Sequence, residues 1–222
     1  MADDVEATLT RLAELIAGSP HNLVSRADRS DVLGIHIREC RAYAGGLGLA
    51  AGQRWIDVGT GGGLPGLVLA AVAPDTHWTL VDSIGKKAAA VRDFAAALRL
   101  DNVTVLTGRA EDLAHEAALR GQFSGAISRA VAALPTLLEL LAGFVAPGGA
   151  VVAAKGPRWA EELAAARPAA ELLGLEESGV VPVPDAARPT WLVMMRRQRA
   201  LPHGYPRRAG LPKSQPLGGA RA

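Results

Sequence analysis

From residue 54 onward, apolar positions alternate between short strand-like runs and longer stretches with helical spacing. The pattern predicts strands over residues 54–58, 78–82, 103–106, 123–128 and 150–154, and helices over residues 65–72, 85–98, 111–119, 134–144 and 159–173. Two more strands, near residues 176–183 and 190–196, would form a closing hairpin. This alternation predicts an α/β fold with a seven-stranded, mostly parallel sheet and helices on both faces. Ligands of such sheets bind beyond the carboxyl ends of the strands.

Two helices are predicted before the first strand. Apolar residues recur every three or four positions over residues 4–17, at Val5, Leu9, Leu12 and Ile16. A second helix is expected from about residue 30 to residue 47, with Gly45, Gly46 and Gly48 breaking its end. We therefore expect an N-terminal helical cap over residues 1–50, a main domain over residues 51–200 and a basic tail over residues 201–222, all within one unit.

The charge of the chain changes sign near its end. The net charge is +2, but residues 190–222 contain seven basic residues and no acidic one, so the rest of the chain is negatively charged. A basic C-terminal strip on an acidic body suits contact with a polyanion. The alternative is a disordered tail that adds solubility, and charge alone does not decide between them.

Composition argues against several classes of protein. The single cysteine, Cys40, cannot form an internal disulfide bond or a clustered-cysteine metal site. The apolar runs contain glycines and are bounded by prolines or charges, so none is expected to span a membrane. The first residues are acidic and therefore lack the basic start of a signal peptide. We expect a cytoplasmic protein without a bound metal.

The stretch WIDVGTGGGLPGLVLA, residues 55–70, is the strongest sign of a ligand site. Its glycines fit both G-x-G-x-G and the dinucleotide pattern G-x-G-x-x-G, between a predicted strand and a predicted helix. Asp57 lies at the end of the strand, where a carboxylate would repel the pyrophosphate of a dinucleotide. It would attract the cationic aminoacyl group of S-adenosylmethionine, unless Asp57 only caps the turn.

Acidic residues also follow the next two predicted strands. Asp82 ends the second strand, where a carboxylate can bind both hydroxyls of an adenosine ribose. Its alternative role is to cap the following helix. Glu111 and Asp112 follow the third strand, where an acid can bond the amino group of adenine or simply favour a helix start. These positions support an adenosine cofactor without choosing between S-adenosylmethionine and NAD.

The residues near the expected site favour a reaction that needs neither a nucleophile nor a general base from the protein. Cys40 falls on the apolar face of the second helix, so we interpret it as a core residue. No Asn/Asp-Pro-Pro-aromatic loop follows the fourth strand. Arg129 is found there instead, either as a cation at the mouth of the site or as the partner of Glu111 or Asp82. Purine N7 has a lone pair and no proton, so its methylation requires only alignment with the methyl–sulfur bond and exclusion of water.

Eight segments spread over nearly the whole chain carry a more specific pattern. They are HNLVS, IHIREC, WIDVGTGGGLPGLVLA, TLVDSIGKKAAAVRDF, VLTGRAEDL, SRAVAALPTLLEL, GGAVVAAKG and YPRRAGLPKSQPL. Together they resemble the bacterial small-subunit ribosomal RNA guanine-N7 methyltransferases (RsmG, formerly glucose-inhibited division protein B). The resemblance implies a Rossmann-like class I S-adenosylmethionine-dependent methyltransferase with a helical cap. It also implies methyl transfer to N7 of one guanine, 527 in standard 16S numbering, in 16S rRNA of the 30S subunit.

The resemblance assigns roles to individual residues, and we add Asp57 to the cofactor set from its position. It places S-adenosylmethionine against Gly59, Gly61, Gly63, Leu64, Asp82, Ala110, Glu111 and Arg129. It places at the RNA side or the reaction centre Asn22, His36, Arg109, Arg129, Lys155 and Arg207. Without the resemblance, Asn22 is an ordinary loop residue, His36 a satisfied helix histidine and Lys155 a solvated lysine.

Two other functions remain open from the residues themselves. One is an NAD-dependent oxidoreductase that uses Gly61, Gly63 and Gly66, although no Tyr-x-x-x-Lys pair for hydride transfer is visible. The other is a non-catalytic RNA-binding assembly factor that retains the pocket. We expect a monomer whose partner is 16S rRNA or the 30S subunit.

Overall fold

Seven strands form one sheet in the computed structural model, which describes residues 2–218. The strands are β1 (Arg54–Val58), β2 (His77–Asp82), β3 (Val103–Thr107), β4 (Phe123–Arg129), β5 (Val145–Lys155), β6 (Leu175–Pro182) and β7 (Trp191–Arg197). Their order across the sheet is β3-β2-β1-β4-β5-β7-β6. β1 to β5 run parallel, whereas β7 pairs antiparallel with both β5 and β6. The predicted fold class and closing hairpin are confirmed.

Helices cover both faces of this sheet. Within the described residues they are α1 (Ala2–Gly18), α2 (Arg38–Leu47), α3 (Gly66–Val72), α4 (Gly85–Ala97), α5 (Ala110–Leu113), α6 (Leu134–Ala142), α7 (Trp159–Leu173) and α8 (Leu211–Ser214). Helices α1 to α4 pack on one face and α5 to α7 on the other, so each face has its own buried core. None of the described helices is both long enough and apolar enough to cross a membrane.

The alternation of side chains along β1 separates the two cores. Trp55 lies in the core beneath α1 to α4, where its ring stacks on Trp78 with 5.7 Å between the ring centroids. Ile56 and Val58 belong to the core beneath α5 to α7. This period of two is expected for a strand covered on both faces. Asp57 therefore points to the Trp55 side, where α3 begins.

The predicted cap packs on the same core as the sheet. Apolar residues of α1 and α2, such as Ile16, are buried in one cluster with those of β1 and α3. The second cap helix starts with a 3-10 turn and a π-helical turn before α2. Gly45 and Gly46 do not end this helix as predicted, because a helix tolerates interior glycine. It ends at Leu47, where Gly48 adopts a left-handed φ of 59°.

Two elements beyond the cap differ in length from the prediction by more than two residues. β5 begins five residues earlier, because Val145 pairs with Phe123 across an irregularity in the β4–β5 ladder. The helix after β3 has four residues instead of nine. Beyond it, Arg120 donates hydrogen bonds to the carbonyl oxygens of Ala114 at 3.0 Å and Tyr205 at 2.9 Å. Long-range contacts of this kind cannot be read from local spacing.

The tail folds back onto the body of the protein. Residues 205–217, here called the C-terminal arm, contain α8, and Tyr205 and Leu217 pack against the core beneath α5 to α7. The alternative of a disordered tail is therefore wrong for these residues. Met1 and residues 219–222, including Arg221 of the predicted basic tail, lie outside the described residues.

Candidate active site

The glycine turn, residues 59–65, connects β1 to α3 at the carboxyl edge of the sheet. Gly59, Gly61 and Gly63 have φ angles of 77°, 58° and 86°. This left-handed region is costly for residues with a Cβ atom, which explains the glycine at each position. The turn is held to the neighbouring strand because the amides of Gly59 and Thr60 donate to the carbonyl oxygen of Val81 at 2.8 and 3.0 Å.

Asp57 lies beneath this turn and is fully buried. Its Oδ2 accepts hydrogen bonds from the Thr60 hydroxyl at 2.7 Å and from the Gly66 amide at 2.9 Å. Burial raises the pKa of Asp57 to about 6, although these two hydrogen bonds act in the opposite direction. The carboxylate thus ties the turn to the start of α3, which is the geometry of a turn-shaping residue.

Asp82 holds the turn from the adjacent strand. Its Oδ2 accepts from the Gly61 amide at 2.9 Å, and its Oδ1 accepts from the Ile84 amide at 2.8 Å. Asp82 therefore closes a turn ahead of α4, but it is not the helix cap of the alternative role, because the N-cap residue of α4 is Ile84. Each carboxylate oxygen can accept a further hydrogen bond, so these contacts do not conflict with binding of ribose hydroxyls.

A cavity of about 160 Å³, here called the turn cavity, opens beside Gly59. It is lined by Val58, Gly59, Val81, Ser83, Gly108, Arg109, Ala110, Glu111, Val131, Ala132, Thr136, Leu140, Pro212 and Lys213. Glu111 is almost fully buried, and its Oε1 accepts from Arg109 Nη2 at 3.2 Å and from the Gly210 amide at 2.9 Å. The structure thus brings Gly59, Arg109, Ala110 and Glu111 to one cavity, whose lining does not include Gly61, Gly63 or Asp82. Leu64 is buried within the turn and does not line this cavity.

A second cavity of about 870 Å³, here called the charged cavity, lies between the cap and the ends of β4 and β5. Its titratable side chains are Asp28, His36, Glu39, Arg129, Lys155, Glu162 and Arg188. Arg129 and Ala130 line this cavity, and the next two residues of the same loop line the turn cavity. Consecutive residues of the loop between β4 and α6 therefore border both cavities.

His36 and Arg129 are in direct contact in the charged cavity. Arg129 Nη1 lies 3.2 Å from His36 Nδ1, and a guanidinium can only donate, so Nδ1 is the acceptor. The proton of the ring is then on Nε2, which lies 3.3 Å from Asp28 Oδ2. Burial, followed by the charge of Arg129, lowers the pKa of His36. His36 is therefore a neutral imidazole whose basic nitrogen is already bound.

Arg188 closes the other side of this network. Its guanidinium makes a bidentate ion pair with Asp28, with Nη2 2.5 Å from Oδ1 and Nη1 3.2 Å from Oδ2. These hydrogen bonds lower the pKa of Asp28, which is buried, whereas most of the Arg188 side chain is exposed. The pair joins the loop before α2 to the β6–β7 hairpin across the rim of the cavity.

Lys155 is neither solvated nor free to reach into the cavity. Its Nζ donates to the Ala132 carbonyl oxygen and to Glu162 Oε2, both at 2.7 Å. The same oxygen of Glu162 also accepts from the Leu134 amide at 2.8 Å. The buried lysine therefore fixes the loop between β4 and α6.

Three other residues lie away from both cavities. Arg207 is bound to the fully buried Glu139 of α6 and does not line either cavity. Asn22 is exposed on the loop after α1 and also lines neither. Cys40 is fully buried, and burial raises its pKa to about 12, which agrees with its interpretation as a core residue.

Comparison with known proteins gives the family. A family model described as rRNA small subunit methyltransferase G matches residues 6–189. The chain belongs to this family. Among relatives named ribosomal RNA small subunit methyltransferase G, that of Deinococcus radiodurans is 41% identical over 209 residues, which cover 93% of this chain and 83% of the relative. That of Rubrobacter xylanophilus is 37% identical over 217 residues, covering 95% and 83%.

Solved structures support the methyltransferase fold of this rRNA small subunit methyltransferase G family member. A predicted O-methyltransferase from Agrobacterium tumefaciens superposes with a TM-score of 0.55 at 18% identity, covering 74% of this chain and 82% of that one. A mutant of MtNAS in complex with S-adenosylmethionine gives a TM-score of 0.60 at 17% identity, covering 87% and 73%. Both are similar in fold, which is that of the class I S-adenosylmethionine-dependent methyltransferases.

Several residues of the candidate site could not be predicted from the sequence. Asp28 and Arg188 are 160 positions apart, and no local pattern marks them as a pair. Glu139 looks like a surface residue of an amphipathic helix but is fully buried beneath Arg207. The YPRRAG segment was the one available signal, because its resemblance to the family marked the arm as important. It did not show which contact the arm makes.

Proposed function

We propose that the protein transfers a methyl group from S-adenosyl-L-methionine to N7 of one guanine in 16S rRNA of the small ribosomal subunit. The observation that carries the proposal is the shared loop after β4. Its residues border a small cavity over the glycine turn on one side and a large cavity lined by charged groups on the other. A methyl donor and an acceptor base bound in these cavities would meet at that loop.

The turn cavity has the donor set that S-adenosylmethionine needs. Gly59 lines the cavity and has no side chain that would block a cofactor. Asp82 does not line the cavity, but it binds the Gly61 amide from the end of β2, where a carboxylate can bind the ribose. Ala110 and Glu111 lie at the adenine end, and Leu64 supports the turn from below. Within this proposal, Asp57 shapes the turn instead of touching the cofactor, because it is fully buried and bonded to the turn itself.

The charged cavity is suited to an acceptor nucleobase that needs no deprotonation before it is methylated. S-adenosylmethionine held beside Gly59 and Glu111 would supply a sulfonium methyl group, which the lone pair of N7 would accept as the C–S bond breaks. No proton leaves the acceptor, so the bound state of His36 Nδ1 and the ion pair of Lys155 are no obstacle. Arg129 orients the base, while Asp28 and Glu39 stabilise the positive charge that the purine gains.

The RNA backbone would meet the rim of the charged cavity. Arg188 is largely exposed there and can bind a phosphate, and Arg109 is half exposed at the edge of the turn cavity. Asn22 lies on the exposed loop after α1, where contact with RNA requires no rearrangement of the core. These assignments, a monomeric state and a cytoplasmic location remain predictions.

Transfer of labelled methyl groups tests the proposal. Purified protein and labelled S-adenosylmethionine are incubated with 30S subunits and with naked 16S rRNA from a strain that lacks the gene. Borohydride and aniline then cleave the RNA at N7-methylguanine, and we expect one new cut, at guanine 527 in standard 16S numbering. Arg129→Met should abolish the cut, whereas Arg167→Ala, which removes an exposed arginine of α7, should retain it. Absence of label from both RNAs would favour a non-catalytic assembly factor instead.

A further inference from the structure

The C-terminal arm forms part of the turn cavity. Pro212 and Lys213 line this cavity together with Gly59 and Glu111. The carbonyl oxygen of Pro212 accepts a hydrogen bond from the Thr136 hydroxyl at 3.0 Å, which fixes α8 against α6. The wall of the cavity is therefore completed by a segment about 150 residues beyond the glycine turn.

A buried ion pair sets the position of the arm. Glu139 of α6 has no solvent exposure, and it accepts from the Arg207 amide at 2.8 Å, from Nε at 2.9 Å and from Nη2 at 2.7 Å. Arg207 Nη2 also donates to the Gln215 carbonyl oxygen at 2.8 Å, which closes the arm on itself. A buried carboxylate without a cation is strongly unfavourable, so Glu139 requires Arg207 to remain in place.

The arm also holds a carboxylate that belongs to the cofactor set. Gly210, which has a left-handed φ of 85°, donates its amide to Glu111 Oε1 at 2.9 Å. Arg109 Nη2 binds the same oxygen from the other side at 3.2 Å. The orientation of Glu111 therefore depends on the arm as well as on α5.

We infer that the C-terminal arm is a structural part of the cofactor pocket, and that Arg207 is a positioning residue for cofactor binding. This inference rests on the proposed function, because it takes S-adenosylmethionine to be the ligand of the turn cavity. Arg207 acts through Glu139 and the arm, which in turn orients Glu111 and places Pro212 and Lys213. Its guanidinium is committed to Glu139 and Gln215, so a direct contact with RNA is not its main role.

Binding of S-adenosylhomocysteine measured by calorimetry tests the inference on the full chain. We expect Arg207→Ala to weaken binding by at least about fivefold, and Arg207→Lys to recover part of the loss because it restores the charge. Arg167→Ala removes a surface arginine elsewhere and should stay within about twofold of the original protein. In methyl transfer, Arg207→Ala should raise KM for the cofactor and leave KM for the RNA unchanged. A change confined to KM for the RNA would overturn the inference. Tighter cofactor binding would also overturn it, because it would show that the arm blocks the cavity.

Two further measurements keep the test decisive if Arg207→Ala does not fold. The double variant Glu139→Gln/Arg207→Gln retains hydrogen-bonding groups without a buried charge, and it should bind S-adenosylhomocysteine less tightly than the original protein. Hydrogen exchange on the unaltered chain should slow at the amides of Arg207, Gly210 and Leu211 when S-adenosylhomocysteine is added. Slowing at the glycine turn alone would overturn the inference and leave the proposed function intact. Failure of the unaltered chain to bind S-adenosylhomocysteine at all would overturn both.

Discussion

Substitution of Asp57 by asparagine tests whether this carboxylate shapes the turn or contacts the cofactor. An asparagine side chain has nearly the same shape, and its oxygen can accept the hydrogen bonds that Thr60 and Gly66 now donate. The change therefore removes the charge and leaves the turn in place. The other carboxylate oxygen of Asp57 is buried without a hydrogen-bond partner, so replacing it breaks no existing hydrogen bond.

The expected effect on stability follows from the pKa of Asp57. Burial raises it from 3.8 to about 6, so the folded state holds the proton more tightly than the unfolded state. The resulting stabilisation is fully present below pH 3.8 and is lost as the pH rises through about 6. A difference of roughly two pKa units corresponds to about 3 kcal/mol in all, of which about 2 kcal/mol falls between pH 4.5 and pH 7.5.

Urea unfolding of both proteins at pH 4.5, 6.0 and 7.5 measures this effect. The free energy of unfolding of the original protein, relative to Asp57→Asn, should fall by about 2 kcal/mol across the series. Asp93→Asn, which removes an exposed acid of α4, controls for the change in net charge. A difference that does not vary with pH would refute the proposed burial of the charge. S-adenosylhomocysteine should bind Asp57→Asn within about threefold of the original affinity, and a loss beyond about tenfold would show direct contact with the cofactor.

Three other substitutions test the site. Gly59→Ala should lower the unfolding free energy in urea by about 1–2 kcal/mol, since alanine is strained at a φ of 77° and its Cβ would lie 2.4 Å from a valine methyl of the loop after β4. Arg129→Met should raise the pKa of His36 in an NMR titration, because a positive neighbour is removed, and an unchanged pKa would contradict the contact. Arg188→Ala should lower the unfolding free energy at pH 7, because buried Asp28 loses its bidentate partner. That loss should shrink in acid as Asp28 is protonated, so an equal loss at low pH would argue against the pair.

Local pattern was sufficient for most of the sheet and its helices. The bounds of β1 and α7 agree with the prediction at every residue, because β1 is a short apolar run before a glycine and α7 ends at the left-handed Gly174. Prediction was wrong where a distant segment decides the conformation. The helix after β3 stops early at a point where Arg120 binds the arm, and β5 extends back to Val145 because Phe123 offers a pairing partner. Such pairings are visible only in three dimensions.

In the candidate site, too, contacts between neighbouring elements were predictable from the sequence and contacts between distant segments were not. The glycine turn and Asp82 lie within one strand–turn–helix unit and its neighbour, so spacing alone placed them correctly beside one another. The partners of the charged residues could not be predicted, since Asp28 binds Arg188 and Glu139 binds Arg207 across most of the chain. Family resemblance marked Arg207 as important, but it gave no information on which group the guanidinium contacts.

Lys155 and Arg207 illustrate how a residue of this fold can be needed for activity without contacting the reacting groups. Each cation binds a glutamate on a helix, and each pair fixes a loop that lines the turn cavity. Lys155 and Glu162 hold the loop after β4, whereas Arg207 and Glu139 hold the arm. Under the proposed function, loss of either cation would shift a wall of the turn cavity and reduce methyl transfer without removing any group that touches the methyl or the acceptor base. Separate measurement of cofactor and RNA affinity is therefore needed before a role in catalysis is assigned to either residue.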